Sequence, residues 1–266
     1  MHDETNRKVA LVTGASGGIG REIAEILLRK GYDLLLVARS IDKLDATRED
    51  FKRIDGQRVV TVLQADLSRE DSPRMIFDFA NDSNLTVDIL VNNAGVGMSG
   101  AIEDYCDDTL LDMLLLNTFS LTALCKYFVP QMKARRSGYI LNIASLAGYQ
   151  PVPNISAYAA SKSYVLNFSD AIAMELEDYG ISVSCFSPGH TDTDWFDRAN
   201  IGEDSKFYAK KTRVSPKDVA QSAVESMFNK KLSSIHGFKN NALAFLNRLS
   251  PTRKMTARIS KKLVAK

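Results

Sequence analysis

The chain is predicted to fold as one doubly wound α/β domain of about seven parallel strands flanked by helices, on three observations. Short, continuous apolar runs alternate with longer amphipathic segments from Val9 to Phe238. The first run leads directly into a glycine-rich turn at 13–20, and no linker, repeat or low-complexity stretch divides the rest of the chain. Strand and helix in alternation imply a parallel sheet with right-handed crossovers. With 266 residues, 45% hydrophobic and 25% charged, the chain is long enough for one such core and short for two.

Val9 to Thr13 (VALVT) is apolar without alternation, as in a strand buried on both faces. Ile19, Ile23, Ile26 and Leu27 then recur at helical spacing until Gly31 stops the helix. Leu34 to Val37 is the second strand, followed by a charged amphipathic helix from about Ile41 to Ile54. Val59 to Leu63 is the third strand, closed by Asp66. A helix near Ser72 to Asn81 leads to the strand Ile89 to Val91. A long helix from about Asp107 to Met132, the strand Tyr139 to Ile143, an alanine-rich helix from Ala157 to Tyr179 and the strand Ile181 to Phe186 come next.

After Pro188 the period weakens, and 191–213 reads as a partly helical, mobile substrate flap. Asp218 to Phe228 is a further helix and Ser233 to Phe238 a last strand, which ends the catalytic domain, residues 1–238. Residues 239–266 form a basic amphipathic segment. Leu243, Leu246 and Leu249, then Met255, Ile259 and Leu263, recur at helical spacing in two runs broken by Pro251. Such a segment either packs on the protein's own body with its lysines outward or lies on an anionic membrane surface.

The net charge of +2 hides an asymmetry: 239–266 carries eight Lys or Arg and no acid, which leaves 26 bases against 32 acids elsewhere. The body gives no reason to expect nucleic acid, and no metal site is expected. Met1 to Arg7 is polar and leaves no room for a signal peptide's apolar region, and no apolar run approaches the roughly 18 residues of a membrane span. Three scattered cysteines, Cys106, Cys125 and Cys185, read as reduced thiols of a cytoplasmic protein.

The turn Thr13-Gly14-Ala15-Ser16-Gly17-Gly18-Ile19-Gly20 joins a strand to a helix that starts inside it. Glycines let the backbone approach a pyrophosphate closely, while free N–H groups and the helix dipole favour the anion. Gly14, Ser16, Gly18, Ile19 and Gly20 are therefore candidates to hold a dinucleotide. At the end of the second strand, where an acid usually binds the ribose of NAD, stand Ala38, Arg39 and Ser40. A guanidinium pairs with a 2′-phosphate, which favours NADP(H); Arg39 is otherwise a solvated loop residue.

Tyr158 and Lys162 share one helix face a turn apart. A free tyrosine, with a pKa near 10, is a poor base at neutral pH, and a neighbouring ammonium shifts it towards useful acid–base strength. Ser145, just past the fifth strand, can hold a substrate oxygen against the tyrosine. Together they suggest interconversion of a carbonyl and an alcohol, with hydride supplied by the cofactor.

On TGASGGIG at 13–20, Asp66-Leu67, Asn92-Asn93-Ala94-Gly95, Asn117, Ser145, YAASK at 158–162 and Pro188-Gly189-His190-Thr191-Asp192-Thr193, the chain resembles the short-chain dehydrogenase/reductase family from about Lys8 to Phe238. The phrase from Ser145 to Leu176 is similar to the bacterial branch of DltE-like oxidoreductases. The resemblance implies a Rossmann-type fold and adenine contacts at Asp66 and Leu67. It implies a cofactor or bracing role for Asn93 with Ala94 and Gly95, and nicotinamide contacts around Pro188, Gly189, Thr191 and Thr193. It also implies that Asn117 orders a water relaying protons through Lys162, and that the protein is a homodimer or homotetramer. His190 departs from the apolar residue often seen there and reads as flap packing.

Three functions stand as alternatives. The first is an NADP(H)-dependent oxidoreductase acting on a small apolar carbonyl or alcohol. The second is a 3-oxoacyl carrier-type reductase, for which Lys206, Lys210, Lys211 and Arg213 would form a basic patch. The third is a non-catalytic NADP-sensing protein, whose signature would be loss of Tyr158 or Lys162.

Overall fold

The structure, a computed structural model, describes residues 7–199 and 213–264. Seven parallel strands form one sheet in the order β3-β2-β1-β4-β5-β6-β7. They are β1 (Val9–Thr13), β2 (Asp33–Ala38), β3 (Val60–Gln64), β4 (Val87–Asn92), β5 (Gly138–Ile143), β6 (Ile181–Ser187) and β7 (Ser233–Ile235). The unbroken apolar run of β1 is buried along its whole length, because helices cover both of its faces.

On one face α1 (Gly18–Arg29) and α2 (Ile41–Ile54) pack with a late helix, α8 (Pro216–Phe228), around Ile23, Leu27, Phe51 and Val224. On the other, α3 (Ser72–Asp82), α5 (Ser120–Arg135) and α6 (Ser156–Leu176) close over Ile76, Leu124, Phe128 and Leu176. The chain runs outward from β1 to β3 and then crosses to β4 on the far side of β1. This reversal opens a crevice at the carboxyl ends of β1 and β4, the place where such sheets bind ligands.

Two predicted helices differ in detail. The long helix at 107–132 is α4 (Asp107–Leu114) and α5 joined through one π-helical turn, Leu115–Phe119, which carries Asn117. An 18-residue window in Asp107–Arg135 is apolar enough to cross a membrane, with mean hydropathy 1.2, but half of it is buried against the sheet and its neighbours. The α6 helix ends at Leu176 because a 3₁₀ turn, Glu177–Tyr179, and left-handed Gly180 (φ 70°) redirect the chain into β6.

Of the flap, the short helix α7 (Trp195–Arg198) is described, and Thr191 bridges to Val214 in parallel fashion. Lys206, Phe207, Tyr208, Lys210 and Lys211 lie outside the described residues. Beyond β7 come α9 (Phe238–Arg248) and α10 (Arg253–Val264), the two runs separated at Pro251. All three cysteines are free, and burial pushes the Cys125 and Cys185 thiols up to about 12.

Candidate active site

The crevice is a cleft of about 640 Å³ bordered by the glycine turn, the ends of β2 to β6, the start of α6 and the first part of the flap. Its floor is fixed by Thr13. That hydroxyl donates to Val91 O (3.2 Å) and accepts from the N–H groups of Asn93 (3.0 Å) and Ala94 (3.1 Å), tying β1 to the turn after β4. Asn93 answers by donating its Nδ2 to Thr13 O (2.9 Å) and Gly14 O (3.4 Å).

This bracing explains the glycine spacing. A Cβ on Gly20 would stand 2.4 Å from both Asn93 Nδ2 and Gly14 O, which nothing can yield to accommodate. Gly18 has φ +54°, the left-handed region, and starts α1. The sequence thus places a helix N-terminus, with no side-chain cap, at the edge of an open cradle that Cβ atoms would fill. Free N–H groups in that position suit a pyrophosphate. Gly14, Ser16, Gly18 and Ile19 line the cleft, and the predicted dinucleotide fits this observation.

At the end of β2, Arg39, Ser40 and Lys43 border the same cleft. Ser40 caps α2 by accepting from Lys43 N (3.4 Å), which turns the first helical residues toward the cleft. The Arg39 guanidinium is exposed, and no hydrogen bond or ion pair engages it among the described residues. Sequence reading missed Lys43. Its signal was available, four residues after Arg39 on the first turn of a capped helix. Asp66 and Leu67 line the adjoining wall, Asp66 held by Ser68, whose N–H (3.1 Å) and hydroxyl (2.9 Å) both donate to Oδ1.

Deeper in, Ser145, Tyr158 and Lys162 all border the cleft. The Lys162 ammonium is buried, donates to Ile143 O (2.9 Å) and lies 6.0 Å from the Tyr158 ring centroid. Burial draws its pKa down to about 8. Ser145 Oγ accepts from Ala147 N (3.1 Å), which fixes the side chain at the head of the 3₁₀ turn Leu146–Tyr149.

Asn117, in the π turn, accepts at Oδ1 from Val96 N (3.1 Å) and donates through Nδ2 to Val96 O (2.9 Å) and Ser161 Oγ (3.1 Å). Its amide is therefore fully engaged, clamping the loop after β4 to α6. Asn117 Oδ1 and Lys162 Nζ stand 3.2 and 3.3 Å from the point a Cβ on Gly95 would occupy, so a side chain there would crowd both polar heads.

On the flap side, Pro188, Gly189, Thr191 and Thr193 line the cleft. Thr191 is buried and donates to Gly189 O (3.2 Å), and the Thr193 methyl is 3.1 Å from where a Gly18 Cβ would be. His190 makes an edge-on contact with Phe196 (5.8 Å), in keeping with a packing role. Trp195 leans on Tyr158 (4.9 Å between centroids), and Leu146, Val152 and Ile155 complete an apolar wall.

Residues 8–204 match the family described as short chain dehydrogenase. This chain belongs to that family. The short-chain dehydrogenase is 32% identical to an uncharacterised oxidoreductase of Staphylococcus saprophyticus over 84% of its own length and 92% of the relative's. It is 34% identical to a dehydrogenase/reductase SDR family protein 7-like of Drosophila melanogaster over 75% of its length and 62% of the relative's. Among curated relatives it therefore spans from under two thirds to nearly all of the matched protein. A solved short-chain dehydrogenase of Sphingobium yanoikuyae in complex with NADPH superposes with a TM-score of 0.81 at 30% identity, covering 91% of this chain and 94% of that one. The short-chain dehydrogenase described here is thus an oxidoreductase of the class acting on CH–OH and carbonyl groups.

Proposed function

We propose that the protein is an NADP(H)-dependent carbonyl reductase or alcohol dehydrogenase for a small apolar substrate. The observation that carries the reading is the convergence of the glycine cradle, the Arg39–Lys43 edge and the Tyr158–Lys162 pair on one cleft. Bound NADPH supplies hydride to the carbonyl carbon, and everything else falls to the chain's own side chains.

Tyr158 Oη protonates the substrate oxygen as the alcohol forms, and removes that proton in the reverse direction. The Lys162 ammonium nearby favours the phenolate form, which lowers the cost of that transfer. Ser145, fixed by Ala147 N, offers its hydroxyl proton to the same oxygen and orients it. Asn117 keeps the loop after β4 and α6 in register beside Lys162. Leu146, Val152, Ile155 and Trp195 exclude bulk water and favour an apolar substrate body. The cytoplasm is the compartment proposed, which the free thiols support.

The test is a panel of ketosteroids, 3-oxoacyl esters and small diketones followed by NADPH absorbance, with Tyr158→Phe alongside. The variant should lose about 10²-fold or more of turnover while its NADPH affinity is little changed. A variant that keeps most of the activity would refute the assigned proton donor.

A further inference from the structure

The last two helices are turned the opposite way from helices that close a core. An amphipathic helix on a globular body directs its apolar stripe inward and its polar face to water. In α9 and α10 the inward residues are small or polar: Ala244, Thr256 and Ser260 are buried, Asn240 Nδ2 donates to His236 O (2.7 Å), and Asn247 donates to Gln150. Leu243 is half-buried, but the other described large apolar side chains of the two helices point out. Phe238 is 87% exposed, Phe245 60%, Leu246 62% and Leu249 63%, and Met255 and Ile259 on α10 are exposed as well. Between them stand Lys239, Arg253, Lys254, Arg258, Lys261 and Lys262, all exposed, with no acid anywhere in 239–266.

We propose that this face docks the protein on an anionic membrane surface. Exposed Phe and Leu among cations, with no acid, is the composition that seats side chains at the acyl boundary while lysines reach anionic headgroups. Packing on the protein's own body is already accomplished by the other side of both helices. A second copy of the chain is the weaker fit, because interface cores are depleted in lysine and four of these six cations are lysines.

The docked face adjoins the active cleft. Gln150, held by Asn247, lines that cleft, and the Asn240 side chain fills the space beside Gly189. A second cavity of about 510 Å³ lies between residues 148–153 and the two helices and shares Gln150 and Val152 with the cleft. If the carbonyl-reductase reading holds, the substrate class is therefore one that partitions into lipid; docking itself does not depend on that reading.

The experiment is sedimentation of the full chain with vesicles of phosphatidylcholine alone or mixed with phosphatidylserine, at low and high salt. Binding to the anionic vesicles should exceed binding to neutral ones by about tenfold or more and fall with salt. Leu246→Glu with Leu249→Glu, and separately Lys261→Gln with Lys262→Gln, should each reduce it severalfold while NADPH binding and the melting transition stay unchanged. Absence of binding to anionic vesicles at low salt would overturn the proposal, as would unchanged binding in both variants. It would also fail if the glutamate pair instead split an oligomer in light scattering and the wild type ignored vesicles, since the occupant would then be a second copy. None of these readouts involves turnover, so docking stands or falls apart from the catalytic assignment.

Discussion

Trp195 lies against the ring of Tyr158, with centroids 4.9 Å apart and planes tilted by 51°, and its indole occupies the space above Gly97. The nearest indole atom is 2.3 Å from where a Cβ on Gly97 would stand, so the two positions form one unit: the loop after β4 has no side chain there because the flap supplies one. The flap residue thus sits directly beside the proposed proton donor.

Trp195→Ala should accordingly raise KM for apolar ketones by roughly tenfold or more, the effect of losing about 1.5–3 kcal/mol of apolar contact. NADPH affinity should hold, because the ring contacts of the indole are with Tyr158 and Phe196 and with the space over Gly97. Gly97→Ala should displace the indole and move KM the same way. Steady-state kinetics on both variants check this, and an unchanged KM in each would remove Trp195 from the substrate wall.

The Arg39–Lys43 edge predicts cofactor choice. Two cations beside the cleft, without an acid at Ala38, favour a 2′-phosphate, and NADPH should bind at least roughly tenfold more tightly than NADH, about 1.4 kcal/mol. Arg39→Ala should narrow the gap, and Arg39→Ala with Lys43→Ala should close most of it by weakening NADPH alone. Fluorescence titration with both cofactors decides the matter; equal affinities in the wild type would exclude the preference.

Lys162 sets catalysis against stability. Its folded pKa of about 8 lies below the ordinary 10.5 because burial penalises the charge. Between these values the unfolded chain binds the extra proton, so stability rises with pH across about 8 to 10.5. Below pH 8 the burial cost is present in full, of order a few kcal/mol. Lys162→Met should therefore raise the melting temperature of the cofactor-free protein at pH 7 while abolishing turnover. The gain should shrink as pH rises from 8 towards 10.5. Calorimetry across that range would contradict this account if the variant melted lower at pH 7 or if its offset were constant with pH.

Much of the site could be read from the sequence because its parts are short motifs tied to strand ends, where backbone geometry restricts residue type. Gly20 is an example: the requirement comes from Asn93 Nδ2 and Gly14 O, both inside such motifs. Strand positions were legible for the same reason, since β1 and β2 are buried on both faces. The features that escaped notice depend on contacts distant in sequence. Gly97 beneath Trp195 and Gln150 bonded to Asn247 join segments about a hundred residues apart, with no periodicity to announce either pair. The outward turn of Leu246 and Leu249 was equally hidden, because helical spacing shows that a stripe exists and not which way it faces.

A second apolar surface, on the opposite side of the sheet from α1, bears on assembly. Along α4, the π turn and α6 the residues Leu111, Leu114, Phe119, Tyr164 and Met174 remain exposed although these elements pack on the body with other faces. Tyr164 is held in place by Thr122 (2.8 Å between hydroxyls) and stacks on Phe168 at 5.9 Å, a preformed aromatic surface. An apolar area of this kind costs solubility unless covered, and a two-fold arrangement covers it with an identical patch. The chain should therefore be a homodimer or homotetramer at micromolar concentration by light scattering. Phe119→Glu with Tyr164→Glu should reduce it to a monomer that still binds NADPH, since neither side chain borders the cleft. The Leu246 and Leu249 glutamate pair should leave assembly intact, which separates this surface from the one on α9. A wild-type monomer, or an oligomer that survives Phe119→Glu with Tyr164→Glu, would show that the exposed faces of the π turn and α6 are not the contact.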